Sequence, residues 1–338
     1  MTNQIADTVR GERPDNPTGR VGPRGSSKPE TARAKRTRGR RDLYKDVTDR
    51  IIAELKRGRV PWVQPWGRAD VSAPLGLPKN GATGQTYSGI NILLLWGAAI
   101  EGGRSGQTWL TFKQALSLGG CVRKGERGTK IVYADRFTPK AEKERAARDG
   151  NDPQSIPFLK QYTVFNAEQC DGLPDSVAGA PERLPEREII PRAEDLIAAT
   201  GADFRIGGDR AFYVPSEDFI QVPPQPAFFD QINYYRTCFH ELGHWTGHPG
   251  RLACDLKGGF GSKDYAREEL VAEMASAFIC AAMSIAPTVR HTDNLVSWLE
   301  VLREDKRAIF RAASLASRAA DFVMDFAPGI TCDPDIAA

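Results

Sequence analysis

The sequence predicts an α+β protein built from two domains, and three observations lead to this prediction. The chain has 338 residues, whereas a single domain usually holds about 50 to 250. Helical and strand-like patterns occur in both halves of the chain, as expected of α+β domains. Residues 171–186 combine prolines and glycines with few apolar side chains, a composition typical of a boundary between domains.

The composition argues against a membrane protein and against a cysteine-based scaffold. Hydrophobic residues make up 41% of the chain and charged residues 26%, ordinary values for a soluble protein. No apolar run reaches the roughly 18 residues of a membrane span, and the polar N-terminus differs from a signal peptide. We therefore expect a cytoplasmic protein without a membrane partner. Six cysteines form no Cys-x-x-Cys pair, which disfavours a disulfide framework and a cysteine zinc ribbon.

The positive charge is concentrated in the first 41 residues. This segment holds eleven Lys/Arg and four Asp/Glu, whereas the remaining residues hold 35 and 39. Residues 1–41 have almost no large apolar side chains, so burial cannot offset the entropy lost on ordering, and we expect a disordered basic tail. The run ARAKRTRGRR at 32–41 either contacts nucleic-acid phosphates or only keeps the chain soluble.

The first predicted domain, residues 42–175, opens with an amphipathic helix over 42–58. Asp42 can cap this helix, apolar residues recur at every fourth position, and Gly58 ends it. The remaining predicted elements are a buried helix (88–100), a short strand followed by a Thr-capped helix (107–120), a turn into a strand (122–137), a charged loop (138–157) and a strand (158–170).

The second predicted domain, residues 191–326, follows a linker at 176–190 and precedes a C-terminal tail at 327–338. A small antiparallel sheet and several helices are expected in it. The predicted elements are a helix (191–201), a hairpin (203–215), a third strand (218–223), long helices (227–247 and 265–285) and a helical segment with a break (295–326).

Residues 239–252, FHELGHWTGHPGRL, carry the strongest chemical signal. His240 and His244 lie four residues apart, so on a helix they share a face and can bind one metal ion. Glu241 is rotated by about 100° from His240, which places it beside the ion, where a general base acting on water belongs. The pattern indicates a zinc site, and manganese or cobalt fit the same ligand types.

A catalytic zinc site needs a third protein ligand and one open position. His248 is a poor candidate because it lies about 80° round the helix from His240. Glu269 and Glu273 share a helical face, so one can bind the metal while the other orients a ligand histidine. We prefer Glu269 as the ligand and Glu273 as its support, with the reverse as the alternative. Glu268 is expected to point to solvent.

Aromatic and basic residues alternate along the first domain, a pattern that fits single-stranded nucleic acid. Bases stack on aromatic rings while cations contact phosphates. The alternative is that the tryptophans belong to the core, as aromatic residues commonly do. The candidate nucleic-acid-binding residues are Trp62, Trp66, Lys79, Asn80, Tyr87, Asn91, Trp109, Lys113, Arg123, Lys124, Lys130, Lys160 and Tyr162.

Several long stretches resemble ArdC-type antirestriction proteins. RIIAELKRGRVPWVQPW, KNGATGQTYSGINILLLW, WLTFKQALSLGGCVRKGERGTKIVY and FLKQYTVFNAEQCDGLP resemble their N-terminal domain, which also opens the TraC-type primases of conjugative plasmids. FHELGHWTGHPGRL and SKDYAREELVAEMASAFIC resemble their C-terminal zincin-like metallopeptidase domain. The resemblance covers roughly residues 42–325, in the same order.

This resemblance implies a protein of a mobile element that binds single-stranded DNA and protects incoming DNA from host restriction. It also implies a zincin-like metallopeptidase domain, and the His-Glu-x-x-His motif with a glutamate ligand makes the expected enzyme a zinc peptidase of the gluzincin type. A restriction-system component is the candidate protein substrate. Whether protection needs peptidase chemistry stays open. The alternatives are a binding protein whose zinc is structural and an accessory that coats the strand transferred in conjugation.

Overall fold

The computed structural model describes residues 42–62, 76–179, 186–254, 262–285 and 295–327, and these residues form ten α-helices and nine strands. The helices are α1 (Leu43–Lys56), α2 (Ile90–Glu101), α3 (Phe112–Ser117), α4 (Lys140–Asp149), α5 (Asp175–Ala178), α6 (Glu186–Ala199), α7 (Gln231–Trp245), α8 (Lys263–Ala282), α9 (Leu295–Glu304) and α10 (Ala308–Met324). The strands are β1 (Lys79–Asn80), β2 (Thr108–Thr111), β3 (Cys121–Val122), β4 (Thr129–Phe137), β5 (Ile156–Asn166), β6 (Cys170–Asp171), β7 (Asp203–Ile206), β8 (Phe212–Val214) and β9 (Phe219–Val222). The α+β prediction is confirmed. The predicted basic tail, nearly all of the predicted C-terminal tail and Trp66 lie outside the described residues.

Two predicted helix starts are confirmed by their caps. The Asp42 carboxylate accepts a hydrogen bond from the backbone N–H of Lys45 at 3.3 Å, which satisfies a free donor at the start of α1. At α3, Thr111 and Gln114 form a reciprocal capping box. Both helices therefore begin where the sequence places a side-chain acceptor.

The predicted charged loop at 138–157 is wrong in part, because it contains α4. This helix buries little besides Ala146, so it has no apolar stripe to reveal it. Ion pairs between side chains three or four residues apart stabilise it instead. Arg145 and Glu142 lie 2.7 Å apart, and Lys140 and Glu144 lie 3.7 Å apart. Gly150 follows with a φ of 68°, the left-handed conformation that commonly ends a helix.

Two larger sheets organise the strands. In the first half the strand order is β1-β2-β5-β4, and β4 and β5 pair antiparallel along the whole of β4. In the second half the order is β7-β9-β8, with β9 parallel to β7 and antiparallel to β8. The predicted hairpin at 203–215 is therefore wrong, and the predicted antiparallel sheet is mixed. The strand β9 takes the centre because Phe219, Ile220 and Val222 are its buried side chains.

One hydrophobic core joins the two halves of the chain. The described residues all belong to a single compact unit, Asp42–Ala338, and buried residues from α1 to α10 pack in one cluster. Trp62 lies 5.6 Å from Trp298, measured between ring centroids, and Trp96 lies 5.6 Å from Phe278. The first and second halves therefore support each other through direct packing.

Two features of the described residues relate to the composition: the state of the thiols and the hydrophobicity of the helices. Among the described residues, Cys121, Cys170, Cys238, Cys254 and Cys280 have free thiols. No helix within the described ranges combines the length and the apolar character needed to cross a bilayer.

Candidate metal centre

The helix α7 brings two histidines together in a buried position. His240 is 2% exposed and His244 is 9% exposed, because α7 is buried from Tyr235 to its end. The two Nε2 atoms lie 3.2 Å apart. One turn of helix thus aims both imidazoles at the same point, as the spacing of the motif predicts.

Glu269 on α8 completes a triangle of donor atoms. Its Oε2 lies 3.7 Å from His240 Nε2, and its Oε1 lies 3.4 Å from His244 Nε2. Tetrahedral ligands about 2.1 Å from a zinc ion are separated from each other by about 3.4 Å. The separations of 3.2, 3.4 and 3.7 Å therefore fit one metal ion between two imidazoles and a carboxylate.

Two further glutamates face the outer nitrogens of the same histidines. Glu268 Oε1 lies 2.9 Å from His244 Nδ1, and Glu273 Oε1 lies 3.9 Å from His240 Nδ1. A carboxylate at hydrogen-bond distance, as Glu268 is, fixes the orientation of a ligand imidazole. The expectation that Glu268 points to solvent is wrong, since the turn of α8 carries adjacent glutamates to opposite sides of His244. The only sequence signal for it was its place beside Glu269.

Carboxylates also control the protonation of His244. Burial by itself lowers the pKa of this imidazole, but hydrogen bonds to Glu268 and Glu269 and the charge of Glu241 raise that pKa well above its usual value. The surroundings are therefore strongly negative, and they favour a divalent cation in place of the proton.

Glu241 and Tyr265 are the other polar groups of this region. Glu241 is 3% exposed and lies close enough for its charge to act on both His244 and Tyr265. Burial, together with the charge of Glu269 and a hydrogen bond to it, raises the pKa of Tyr265. The phenol therefore stays protonated and donates to Glu269.

A close contact between helices sets the position of the donors. A Cβ atom added to Gly243 would lie 3.1 Å from Ala272 Cα and 3.3 Å from Ala272 O, which is tighter than ordinary packing. The glycine of the motif therefore lets α7 and α8 approach backbone to backbone. This approach brings Glu269 within reach of the two histidines.

Arg251 anchors the end of α7 to the second sheet. Its Nε donates to Trp245 O at 2.6 Å, and its guanidinium lies 3.9 Å from the centroid of the Trp245 ring. Its Nη1 and Nη2 bind both oxygens of Asp218, and Nη2 also contacts Tyr213 Oη at 3.1 Å. No local pattern reveals this contact, because Arg251 and Asp218 are 33 residues apart.

Replacing Asp218 with asparagine is expected to lower the free energy of unfolding most at neutral pH. Hydrogen bonds from Arg251 lower the pKa of Asp218 to about 2, below an ordinary value of about 3.9. The carboxylate therefore stabilises the fold above about pH 4, and this contribution is lost as the pH falls toward about 2. Asparagine tolerates the φ of 54° at this position, so the change tests charge.

Urea unfolding between pH 7 and pH 3 measures this effect, with Asp209→Asn as a control at an exposed carboxylate. The difference between wild type and Asp218→Asn will shrink with falling pH, whereas the control difference will stay constant. Since the Asp218 side chain is 39% exposed, the effect is reduced by solvent screening. A difference that did not change with pH would show that the ion pair contributes nothing.

A pocket of about 350 Å³ lies beside this centre, and His244 is among its lining residues. Gly243, Ala272, Val271 and Leu315 give it a largely apolar wall, and Glu268 contributes a carboxylate. Both partners of the hydrogen bond between Glu268 and His244 therefore line this pocket.

The predicted tryptophan platforms for nucleic acid are wrong where the structure describes them. Trp62 and Trp109 are 0% exposed, so neither ring can stack on a base. Trp62 packs against Trp298, and Trp109 belongs to a small cluster with Leu95 and Val164. Both rings therefore belong to the hydrophobic core, which was the alternative to base stacking.

Four other candidates are engaged in holding the fold. Asn91 binds both backbone groups of Val132, at 2.7 and 2.9 Å. Asn80 binds two backbone N–H groups of its own turn and the side chains of Gln114 and Tyr87, and Tyr87 packs against the small cluster of Trp109. Arg123 is paired with Asp171 and Glu126. These contacts give the four side chains a structural role, and their predicted role in DNA contact stays a prediction. The remaining candidates are exposed: Lys79, Lys113, Lys124, Lys130, Lys160 and Tyr162.

Two family models match the chain, one in each half. Residues 41–165 match the N-terminal domain of anti-restriction factor ArdC, and residues 191–315 match a zincin-like metallopeptidase. Among solved structures, the metal-free antirestriction protein ArdC from plasmid R388 is 39% identical with a TM-score of 0.71, covering 85% of this chain and 98% of that one. Its Mn(II)-bound form is 38% identical with a TM-score of 0.69, covering 86% and 100%.

Curated relatives extend the comparison. The protein y4eC of Sinorhizobium fredii is 42% identical over 289 residues, covering 83% of this chain and 91% of the relative. The DNA primase TraC of Escherichia coli is 40% identical over 302 residues, covering 85% of this chain but 27% of the primase. The chain thus spans about a quarter of TraC. Together with the donor triangle, the zincin-like match and the Mn(II)-bound relative support a divalent metal ion as cofactor, with zinc or manganese fitting the site.

Proposed function

Because this chain belongs to the ArdC family of antirestriction proteins, we propose that it protects incoming DNA from host restriction by combining single-strand binding with a metal-dependent hydrolytic site. DNA binding is assigned to residues 42–175 and hydrolysis to residues 191–326. The observation that carries the hydrolytic part is the triangle of His240, His244 and Glu269 donors.

The DNA-binding part rests on the first half of the chain. This half matches the ArdC N-terminal domain and is similar to a segment of a DNA primase. Its exposed lysines, Lys79, Lys113, Lys124, Lys130 and Lys160, supply cations for phosphate contacts. We propose single-stranded DNA as the partner, since its exposed bases can stack on exposed aromatic rings.

The hydrolytic part follows from the arrangement of the buried side chains. A divalent metal held by His240, His244 and Glu269 would lower the pKa of a bound water toward neutrality and polarise a carbonyl group. The Glu241 carboxylate then accepts a proton from the attacking water and delivers it to the leaving amine. Glu268 and Glu273 hold the imidazoles in orientation.

A second candidate is a DNA-binding protein whose metal is structural. The near-complete burial of the donors favours it, since His240, His244 and Glu269 are 2, 9 and 4% exposed and leave little surface for a substrate to reach the metal. Three protein donors with a buried glutamate beside them favour the catalytic alternative. A protein substrate belonging to a restriction system is proposed only for the catalytic alternative.

The DNA-binding part predicts a strong dependence on salt. Fluorescence anisotropy with the full chain and a labelled oligothymidylate will show the logarithm of the association constant falling linearly with the logarithm of salt concentration. Each phosphate contact contributes about −0.7 to the slope for a single strand. A dissociation constant that stayed flat from low to high salt would contradict the phosphate contacts.

A further inference from the structure

The two long strands of the first half carry exposed aromatic rings. Tyr133 and Phe137 on β4 are 57% and 58% exposed, and Tyr162 on β5 is 46% exposed. Rings of this size usually bury most of their surface. We refer to these three residues, together with Lys160, as the tyrosine face.

The register of β4 against β5, which together form a two-stranded ribbon, places all four side chains on one side of it. Tyr133 pairs with Lys160, and Ile131 pairs with Tyr162. Directly paired residues point to the same side of a sheet, and so do residues two apart along a strand. The Tyr133 and Tyr162 rings lie 6.4 Å apart in an edge-to-face arrangement. Phe137 continues the row about 13 Å further along β4.

On this side of the ribbon the residues change from buried to exposed along β4. Ile131 and Val164 are buried in a cluster with Leu95 and Trp109, whereas the rings that follow along β4 are open to solvent. The exposed rings therefore add nothing to this cluster. Contiguous exposed apolar groups of this kind mark interaction surfaces.

The tyrosine face carries one described cation, Lys160, because Lys130 pairs with Thr163 and so lies on the opposite side of the two strands. Among the side chains that the structure describes in β4 and β5, at 129–134, 137 and 159–166, the charged residues are Lys130 and Lys160. A surface that combines a cation, here Lys160, with exposed rings is complementary to a single-stranded polyanion with free bases. It is less well matched to an apolar protein surface without acidic residues, which would gain nothing from Lys160.

We infer that the tyrosine face is the base-stacking surface of this protein for single-stranded DNA. Tyr133 and Tyr162 stack on bases, Phe137 extends the contact, and Lys160 lies beside the rings at the level of the phosphates. This inference rests on the proposed DNA binding and replaces the buried tryptophans as stacking residues.

The test uses the full chain, a fluorescein-labelled oligothymidylate of about 20 nucleotides and anisotropy at low salt. The double variant Tyr133→Ala/Tyr162→Ala is expected to raise the dissociation constant by roughly 5- to 150-fold for each stacked base lost. Tyr133→Phe/Tyr162→Phe keeps the rings and will bind nearly as wild type. Phe229→Ala removes a fully exposed ring from the second half and will leave binding unchanged. Thermal unfolding by circular dichroism confirms that each variant is folded.

Three results would overturn the inference in distinguishable ways. If wild type binds and the double alanine variant binds equally well, the tyrosine face is not the stacking surface, while DNA binding stands. If the double alanine variant changes only the molecular mass in light scattering, the face is a protein interface. If wild type fails to bind the oligonucleotide even at low salt, the proposed DNA binding falls and the inference falls with it.

Discussion

Replacing Glu241 with glutamine is expected to abolish peptide hydrolysis while leaving metal affinity within a few-fold of wild type. Glutamine has nearly the same shape as glutamate but cannot accept a proton from water, and general-base catalysis typically contributes about 10²- to 10⁴-fold. Metal affinity persists because Glu241 is outside the donor triangle of His240, His244 and Glu269. The removal of a buried negative charge changes the field at the site without removing a ligand.

The measurement is cleavage of a denatured protein such as casein by the metal-loaded full chain, followed by electrophoresis. Glu300→Gln, at an exposed position on α9, is the matched control and will cleave as wild type. Equal rates for Glu241→Gln and wild type would show that another group is the base. No cleavage by wild type with either zinc or manganese would contradict the hydrolytic proposal itself.

The same variant separates the two candidate functions in cells. Transfer of unmodified DNA into a restricting host measures protection directly. If hydrolysis is required, Glu241→Gln will lose protection even though its affinity for single-stranded DNA is unchanged. If protection is retained in full, binding alone is sufficient and the metal is structural.

The donor triangle could be anticipated from the sequence because helices have a fixed period. His240 and His244 share a face through their spacing of four, and Glu269 and Glu273 share one for the same reason. Spacing could not decide which glutamate faces the metal, because that depends on how α8 is rotated against α7. The structure places Glu269 on the Nε2 side and Glu273 on the Nδ1 side.

Contacts between segments that are distant in the sequence could not be predicted from it. Arg251 meets Asp218 only once the second sheet has formed, and Trp62 meets Trp298 only across the two halves. The pattern of alternating aromatic and basic residues is the same whether a ring is buried or exposed. Tertiary packing decides that Trp109 is in the core and Tyr133 at the surface.

Replacing Glu269 with glutamine is expected to weaken metal binding far more than the same change at Glu273 or Glu268. Glu269 supplies a donor atom of the triangle, whereas we propose that the other two only orient histidines. Loss of an orienting partner typically lowers metal affinity by 10- to 100-fold. Loss of one of three protein ligands is expected to exceed that range, because the remaining donors no longer enclose the ion.

The measurement is the gain in free energy of unfolding on metal binding, obtained from urea unfolding with and without metal. The expected gain differs between the variants. At a free metal concentration about 100 times the wild-type dissociation constant, binding stabilises wild type by about 2.7 kcal/mol. A 10- to 100-fold loss in Glu273→Gln or Glu268→Gln leaves between about 0.4 and 1.4 kcal/mol. A loss of about 1,000-fold in Glu269→Gln leaves under about 0.1 kcal/mol. If Glu273→Gln gave the smallest stabilisation of the three, Glu273 would be the ligand and Glu269 its support, because only a ligand can account for the complete loss.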